Sequence, residues 1–467
     1  MKSFFFYDLE TSGLKPREDR IMQFAGQRTD MDLNPVGEPV NLLVKMTDDA
    51  LPSPGAINVT KITPQDTLRD GISEVEFCRY CVEEIFIPGT VAVGYNTVRF
   101  DDEFMRAVLW RNFYDPYEWE WKDERSRWDI LDVVRLTRAL RPEGIEWPFR
   151  EDGAPTNRLE LITKLNGVSH EHAHDALSDV YATIAVARLI REKQPELFGY
   201  LLKMRNKNEI KKLVNLDDKK PFVYASGRYR NEYNKTTVVF PFAPGRNGNV
   251  LVYDLRYSLD GLGELWAGDA AGGTPARATA RVGEAAAAGP AQHIFPIVKE
   301  LCYNKCPAVA PIGVLEKNRG WEKIGLTREM VEKNLQSLLN HPEFAEQIRS
   351  VFEARSEFPK PLEPEEALYD GFLNDRDKIK VAAVRNAEPD RLADFHPEFD
   401  DERLPELLLH YKGRNFPETL SDTEMEEYET YRKERLRRQA GRFMQELEKI
   451  EDKFLKQELF LYMQSLS

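Results

Sequence analysis

Four carboxylates and one histidine in this 467-residue chain have the types and spacing of a hydrolytic metal site. Asp8 and Glu10 are separated by one residue in the run Phe4-Phe5-Phe6-Tyr7-Asp8-Leu9-Glu10-Thr11. Side chains alternate along a strand, so the two acids project from the same face. Paired carboxylates beside an apolar run repel each other and are costly unless something positive sits between them. A divalent cation meets that need. Taken alone, the pair also fits an edge strand with two solvated acids, a glycosidase pair or a calcium loop. Asp101 follows Asn96-Thr-Val-Arg-Phe100 at the end of an apolar strand, where α/β sheets place their ligands. Asp179 lies in the first turns of the most apolar helix of the chain, where an unpaired carboxylate is expensive. His174 stands five residues before it, at the helix entrance. Four acids and a histidine from three distant segments match two-metal phosphodiester hydrolysis. The acids hold two hard cations by oxygen, one cation lowers the pKa of an attacking water, the other stabilises the leaving oxygen, and the histidine takes the water's proton.

The elements that must position these groups read as α/β from residue 1 to about 198. Strands are predicted over 4–9, 21–29, 40–45 and 91–95. Helices are predicted over 77–86, 102–110, 129–140, 159–165 and 175–193, the last apolar on nearly all sides and therefore buried. After Pro195 the character changes. Residues 203–235 carry ten Lys and Arg against four acids. Short strands are predicted over 222–226, 236–241 and 250–255. The 266–290 stretch is rich in Ala and Gly and nearly without large apolar residues, so it reads as a loop unable to bury much surface. From about 327 the pattern is helical, over 330–340, 341–356, 365–373, 375–387, 401–411 and a long charged pair after 422, with prolines in the connections.

A chain this long is expected to form two to four domains. No apolar run is long enough to span a bilayer, so no membrane association is expected. The N-terminus passes straight into a strand without the features of a secretory signal. Four cysteines make no disulfide framework, which points to a reducing cytoplasm. The net charge of -14 argues against a protein that coats nucleic acid, yet leaves room for one that grips it in a local basic groove.

Asp8-x-Glu10-Thr11, Asn96-x-x-x-Phe100-Asp101 and His174-x-x-x-x-Asp179 resemble the three motifs of the DEDDh exonucleases. Gly94-Tyr-Asn-Thr-Val-Arg-Phe-Asp-Asp-Glu103, Arg111-Asn-Phe-Tyr-Asp-Pro-Tyr117, Ser126-Arg-Trp-Asp129, Ala139-Leu-Arg-Pro-Glu-Gly144 and Ala173-His-Asp-Ala176 resemble the bacterial exonuclease I family within that group. So do Asn304-Lys-Cys-Pro307 and Arg414-Asn-Phe-Pro417, so the likeness covers almost the whole chain. The resemblance implies an α/β RNase-H-like exonuclease domain (1–198), a small SH3-like β domain with the Ala/Gly-rich loop (199–356) and an α-helical C-terminal domain (357–467), closing around single-stranded DNA. It implies a 3'–5' exodeoxyribonuclease that releases 5'-mononucleotides and serves DNA repair. Asp8, Glu10 and Asp179 would ligate Mg2+ (two ions, with Mn2+ as a substitute), Asp101 would complete the acidic set and His174 would be the general base. Glu10 would also lie against the terminal nucleotide. Arg158 falls where the family has an arginine contacting the nucleotide, and Arg106, Tyr117, Trp121 and Arg135 match positions along the DNA path. The family binds the acidic C-terminal tail of single-stranded-DNA-binding protein, for which Arg141 is a candidate contact. A monomer is expected. The Ala/Gly-rich segment has no counterpart in the family's β domain.

Tyr117, Trp119 and Trp121, interleaved with Arg111, Lys122, Arg125 and Arg127, suit base stacking and phosphate pairing, or else form an aromatic mini-core under a loop. The basic run suits DNA or partner contact. His170 and His172 lie in a loop and lack the spacing of His174 to Asp179. Cys78 and Cys81, and the looser pair Cys302 and Cys306, lack the full spacing of a zinc ribbon, and Cys81 lies on an apolar helix face. Asp102, Asp129 and Asp175 are expected to be caps or supporting partners rather than ligands.

Overall fold

The computed structural model describes residues 2–168, 175–259, 297–353 and 361–466. The predicted loop at 266–290 and the histidines 170, 172 and 174 lie outside the described residues. The chain begins with strands β1 (Ser3–Thr11), β2 (Ile21–Thr29) and β3 (Val40–Leu43). Three short helices follow, α1 (Pro54–Thr60), α2 (Pro64–Asp70) and α3 (Glu74–Tyr80), the last running into a π-helical turn at Cys81–Ile85. Strand β4 (Thr90–Gly94) leads to α4 (Asp101–Arg111), and β5 (Ser126–Asp129) to α5 (Ile130–Leu140). Then come α6 (Leu159–Leu165), α7 (Ala176–Lys193), α8 (Pro195–Met204) and α9 (Lys207–Leu213).

The first sheet has the order β3-β2-β1-β4-β5. β1 is antiparallel to β2 and parallel to β4, so the strand with the two acids is the central one. Its buried aromatic run follows from that position, since a central strand is covered on both faces. Phe5, Tyr7 and Leu9 pack with Phe24, Phe77, Cys78, Cys81, Phe86, Phe104 and Trp119 in one apolar cluster. Cys78 and Cys81 are thus core residues. Trp119 belongs to this mini-core rather than to a stacking surface.

By compactness the chain divides into two units, one of Met1–Arg127, His170–Ile184 and Lys360–Ser467, the other of Trp128–Ser169 and Ala185–Pro359. In the first unit the C-terminal helices Asp422–Glu448 and Lys453–Ser465 pack Leu436, Phe443, Leu455 and Leu459 against Met22, Leu51 and Ile57. A fully buried ion cluster accompanies this packing. Arg20 contacts Asp49 at 3.0 Å and Glu365 at 3.4 Å, and Arg414 reaches Asp49 at 3.3 Å and Glu365. Partial neutralisation of each by the others is what lets these charges persist in the buried interior. The predicted helix at 365–373 is only a 3-10 turn, Glu366–Tyr369, and the one at 401–411 is shifted to Leu404–Asn415.

In the second unit, β6 (Phe222–Ala225), β7 (Thr236–Pro244), β8 (Val250–Asp254), β9 (Val298–Leu301) and β10 (Ala308–Pro311) form an antiparallel sheet in the order β10-β6-β7-β8-β9. Its core joins Val239, Val252, Leu301 and Val309 to Met204 and Ile210. β9 and β10 are absent from the sequence prediction because each has four residues, with Lys and Glu inside one and Ala and Pro in the other.

Candidate active site

β1 presents Asp8 and Glu10 on one face, opposite Tyr7 and Leu9, which enter the core. A register shift against β2 falls between Glu10 and Thr11, immediately after the second acid. Such bulges re-aim side chains at the ends of strands. α7 brings Asp179 to the same place. One carboxylate oxygen from each of Asp8, Glu10 and Asp179 lies within 4.8 Å of the others, and all three residues are half-buried.

Asp101 is the first residue of α4 and is buried. The backbone N–H of Leu9 donates to its Oδ1 at 3.2 Å. The turn before it is tight. A Cβ on Gly94 would sit 2.8 Å from the carbonyl oxygen of Tyr7 and 2.0 Å from the Thr97 methyl, so only glycine fits at the end of β4. Asn96 takes the left-handed conformation that asparagine tolerates, with φ 74°.

The electrostatics agree with a cation site. Burial, followed by the charges of Asp101, Asp179, Glu10 and Asp175, raises the Asp8 carboxyl well above its ordinary range. Burial and the charges of Asp179 and Asp175 push Glu10 up to about 8. These acids are frustrated as an ionised set, and oxygen donors so placed fit a hard divalent cation. Sequence reasoning placed Asp175 only as a supporting partner. It accepts from the Ser178 N–H at 3.1 Å as a cap does, but its charge also acts on Asp8 and Glu10. Its spacing of four residues before Asp179 on one helix face was the available signal.

The proposed DNA-path residues occupy varied settings. In the first unit Trp121 is 65% exposed and Tyr117 half-buried, with Phe372 5.8 Å from the Tyr117 ring. Arg106 is 4% exposed, its guanidinium lying between Glu103 and Glu120 and 5.5 Å from the Tyr117 ring. Arg111 is buried against Glu74, and Arg127 is buried against Asp102 and Glu120. Lys122 pairs with Glu118, and Arg125 donates to the Phe86 carbonyl. The interleaved cations therefore act largely in structural pairs, which favours the mini-core alternative for this segment. In the second unit Arg158 is 65% exposed and pairs with Glu160, Arg135 pairs with Asp132, and Arg141 donates to the Leu140 carbonyl at 2.7 Å. Asp129 caps α5, accepting from the Leu131 N–H. In the basic run, Lys203 and Lys212 both pair with Glu209.

Among the described residues no helix is long and apolar enough to cross a membrane.

Comparison with known proteins matches three family models in order along the chain. They are Exonuclease over residues 5–187, Exonuclease I SH3-like domain over 205–354 and Exonuclease I C-terminal domain over 362–464. An exodeoxyribonuclease I of Haemophilus influenzae is 39% identical over 450 residues, covering 96% of this chain and 93% of the relative. The crystal structure of E. coli exonuclease I in complex with a dA16 oligonucleotide superposes with a TM-score of 0.89 at 36% identity, covering 100% of both chains. A crystal structure of SSB/exonuclease I in complex with an inhibitor superposes with a TM-score of 0.85 at 35% identity, again covering 100% of both chains. With three family models end to end and a relative matched over nearly its full length, the chain belongs to the exodeoxyribonuclease I family of DNA-degrading enzymes.

Proposed function

We propose that this protein is a divalent-cation-dependent 3'–5' exonuclease specific for single-stranded DNA, with Mg2+ as the natural ion. The observation that carries the reading is the convergence of Asp8, Glu10 and Asp179 within 4.8 Å of one another, with Asp101 bonded to the strand that bears the first two. Asp8, Glu10 and Asp179 would hold the cations, and Asp101 would complete the negative set. Bound cations would supply a lowered water pKa and a counter-charge for the leaving oxygen. His174 takes the proton from the attacking water, and Glu10 also borders the terminal nucleotide. Arg158, Arg106, Tyr117, Trp121 and Arg135 line the path of the strand. The domain boundaries we assign are 1–198, 199–356 and 357–467.

The complex of an E. coli relative with an oligonucleotide supports single-stranded DNA as substrate. The SSB/exonuclease I structure supports single-stranded-DNA-binding protein as a partner. That its acidic tail is the part bound, with Arg141 among the contacts, is our assignment from the family resemblance. A cytoplasmic monomer acting in DNA repair fits these partners.

The test is digestion of 5'-labelled DNA and RNA oligonucleotides, with and without Mg2+, and with free or blocked 3' ends. The reading predicts a shortening ladder from single-stranded DNA only, lost on chelation or on blocking the 3' end. It also predicts loss of the ladder in Asp179→Ala protein. Digestion that persists in that variant contradicts the proposed site.

A further inference from the structure

Asp102 immediately follows Asp101 and is 1% exposed. A lone carboxylate at that depth is costly, so its partners decide what it does. Tyr7 donates its hydroxyl to Oδ1, and Arg127 donates to Oδ2, so both oxygens are engaged. Arg127 continues to Glu120 at 3.0 Å, and Glu120 binds Arg106. Arg106 reaches Glu103 at 2.9 Å, and Glu103 accepts from the Tyr369 hydroxyl.

The connectivity is specific to the place. Two consecutive helix residues, Asp101 and Asp102, are bonded to two β1 residues, Leu9 and Tyr7, which are the neighbours of Asp8 on either side. The Tyr7 side chain leaves β1 on the face opposite Asp8 and Glu10, while the Leu9 N–H holds Asp101, itself a member of the acidic set. A slip of α4 along β1 breaks both bonds at once, and it also moves Asp101 relative to Asp8. An apolar pair of similar volume would fill the same space at no loss of stability, but it would not fix the register of helix on strand.

We propose that Tyr7, Asp102 and Arg127 are positioning residues for the acidic site, holding the start of α4 in register with β1 so that Asp101 stands at a set distance from Asp8. This rests on the proposed function of the same site. Metal sites lose about 10- to 100-fold in affinity or activity when such supporting partners are removed, because the donors then sample unproductive positions.

Tyr7→Phe is the sharpest probe. It deletes one hydroxyl while keeping the ring that packs on Phe24, Phe86 and Trp119. Tyr428→Phe is its control, deleting the equivalent bond to Asp48 (2.8 Å), which touches none of the four acids. For full-length wild type and both variants, kcat and KM on a DNA oligonucleotide are measured, together with calorimetric Mn2+ binding to the metal-free protein and Tm. The expected result for Tyr7→Phe is a kcat lower by about tenfold, an unchanged KM and weaker Mn2+ binding, with Tyr428→Phe altering Tm alone. If Tyr7→Phe protein does not fold, Asp102→Asn is judged by the same readouts. A Tyr7→Phe protein with wild-type kcat and Mn2+ binding, whatever its Tm, overturns the inference. Wild-type protein that neither binds Mn2+ nor digests DNA overturns the reading of the site itself, a result distinct from the variant's failure.

Discussion

The Leu9 N–H donates to Asp101 Oδ1 at 3.2 Å, joining the residue between the two strand acids to the acid that opens α4. Three of the four carboxylates are thereby referred to one strand. The fourth, Asp179, is delivered by the first turn of α7, whose capping residue Asp175 adds its charge to the site.

The turn that feeds Asp101 into place is the weak point of this arrangement. A methyl group on Gly94 requires the backbone at Tyr7 or the turn at Thr97 to move. Gly94→Ala is therefore predicted to lower kcat by roughly 10- to 100-fold, since displacements of about 1 Å carry penalties of that size. Single-turnover rates on saturating oligonucleotide measure this. An unchanged rate would show that the turn has more slack than the contacts imply.

The acids set a pH dependence for metal binding. Glu10 titrates near 4.5 when solvated and about 8 in the metal-free fold, and Asp8 is raised as well. Between those values the folded protein holds a proton that the unfolded chain has released. Stability of the metal-free protein is thus predicted to fall as pH rises through that window. Divalent cations displace the proton, so their affinity rises with pH by about tenfold per unit for each proton displaced, levelling above about pH 8. Calorimetric Mn2+ titrations across this range, with thermal melts in chelator, check both signs.

Trp119 and Trp121, two residues apart, are predicted to behave oppositely. Trp121→Ala removes an exposed ring and is predicted to weaken oligonucleotide binding by about 1–3 kcal/mol, the worth of one stacked base, with little change in Tm. Trp119→Ala removes a buried ring and is predicted to cost about 3–5 kcal/mol of stability. Equilibrium binding by anisotropy and urea unfolding separate the two.

The buried ion cluster predicts a third kind of response. Arg414→Met leaves Asp49 and Glu365, both buried from solvent, short of one cation. Breaking one member of such a cluster costs roughly 3–5 kcal/mol, and the urea midpoint is predicted to fall accordingly. A midpoint equal to wild type would mean that Arg20 and Arg435, the latter 3.9 Å from Asp49 and 3.7 Å from Glu365, suffice.

Much of the site was legible in the sequence because its parts are local. The alternation of Tyr7-Asp8-Leu9-Glu10 sets which side chains share a face, and Asp101 and Asp179 stand at element starts. What escaped were long-range pairings. Nothing near Arg106, Arg111 or Arg127 in the chain discloses that Glu120, Glu74 and Asp102 neutralise them, because these partners lie on other elements. The helices α1 and α2 were missed although Ser53 before Pro54 and Thr63 before Pro64 are capping signals. Each buries only two residues, Pro54 and Ile57 in α1 and Pro64 and Thr67 in α2, so neither shows an apolar face of the kind that marks α6. The likeness of the whole chain to one family supplied the polarity of digestion and the DNA-path residues, which no spacing encodes.

The central claim is that Asp8, Glu10 and Asp179 share divalent cations. Crystals grown with Mn2+ and a short DNA strand, examined by anomalous scattering, test it most directly. The account predicts Mn2+ peaks bonded to oxygens of all three carboxylates, and their disappearance in Asp179→Ala protein. Protein that degrades DNA while its only Mn2+ peaks lie away from these three residues would contradict it.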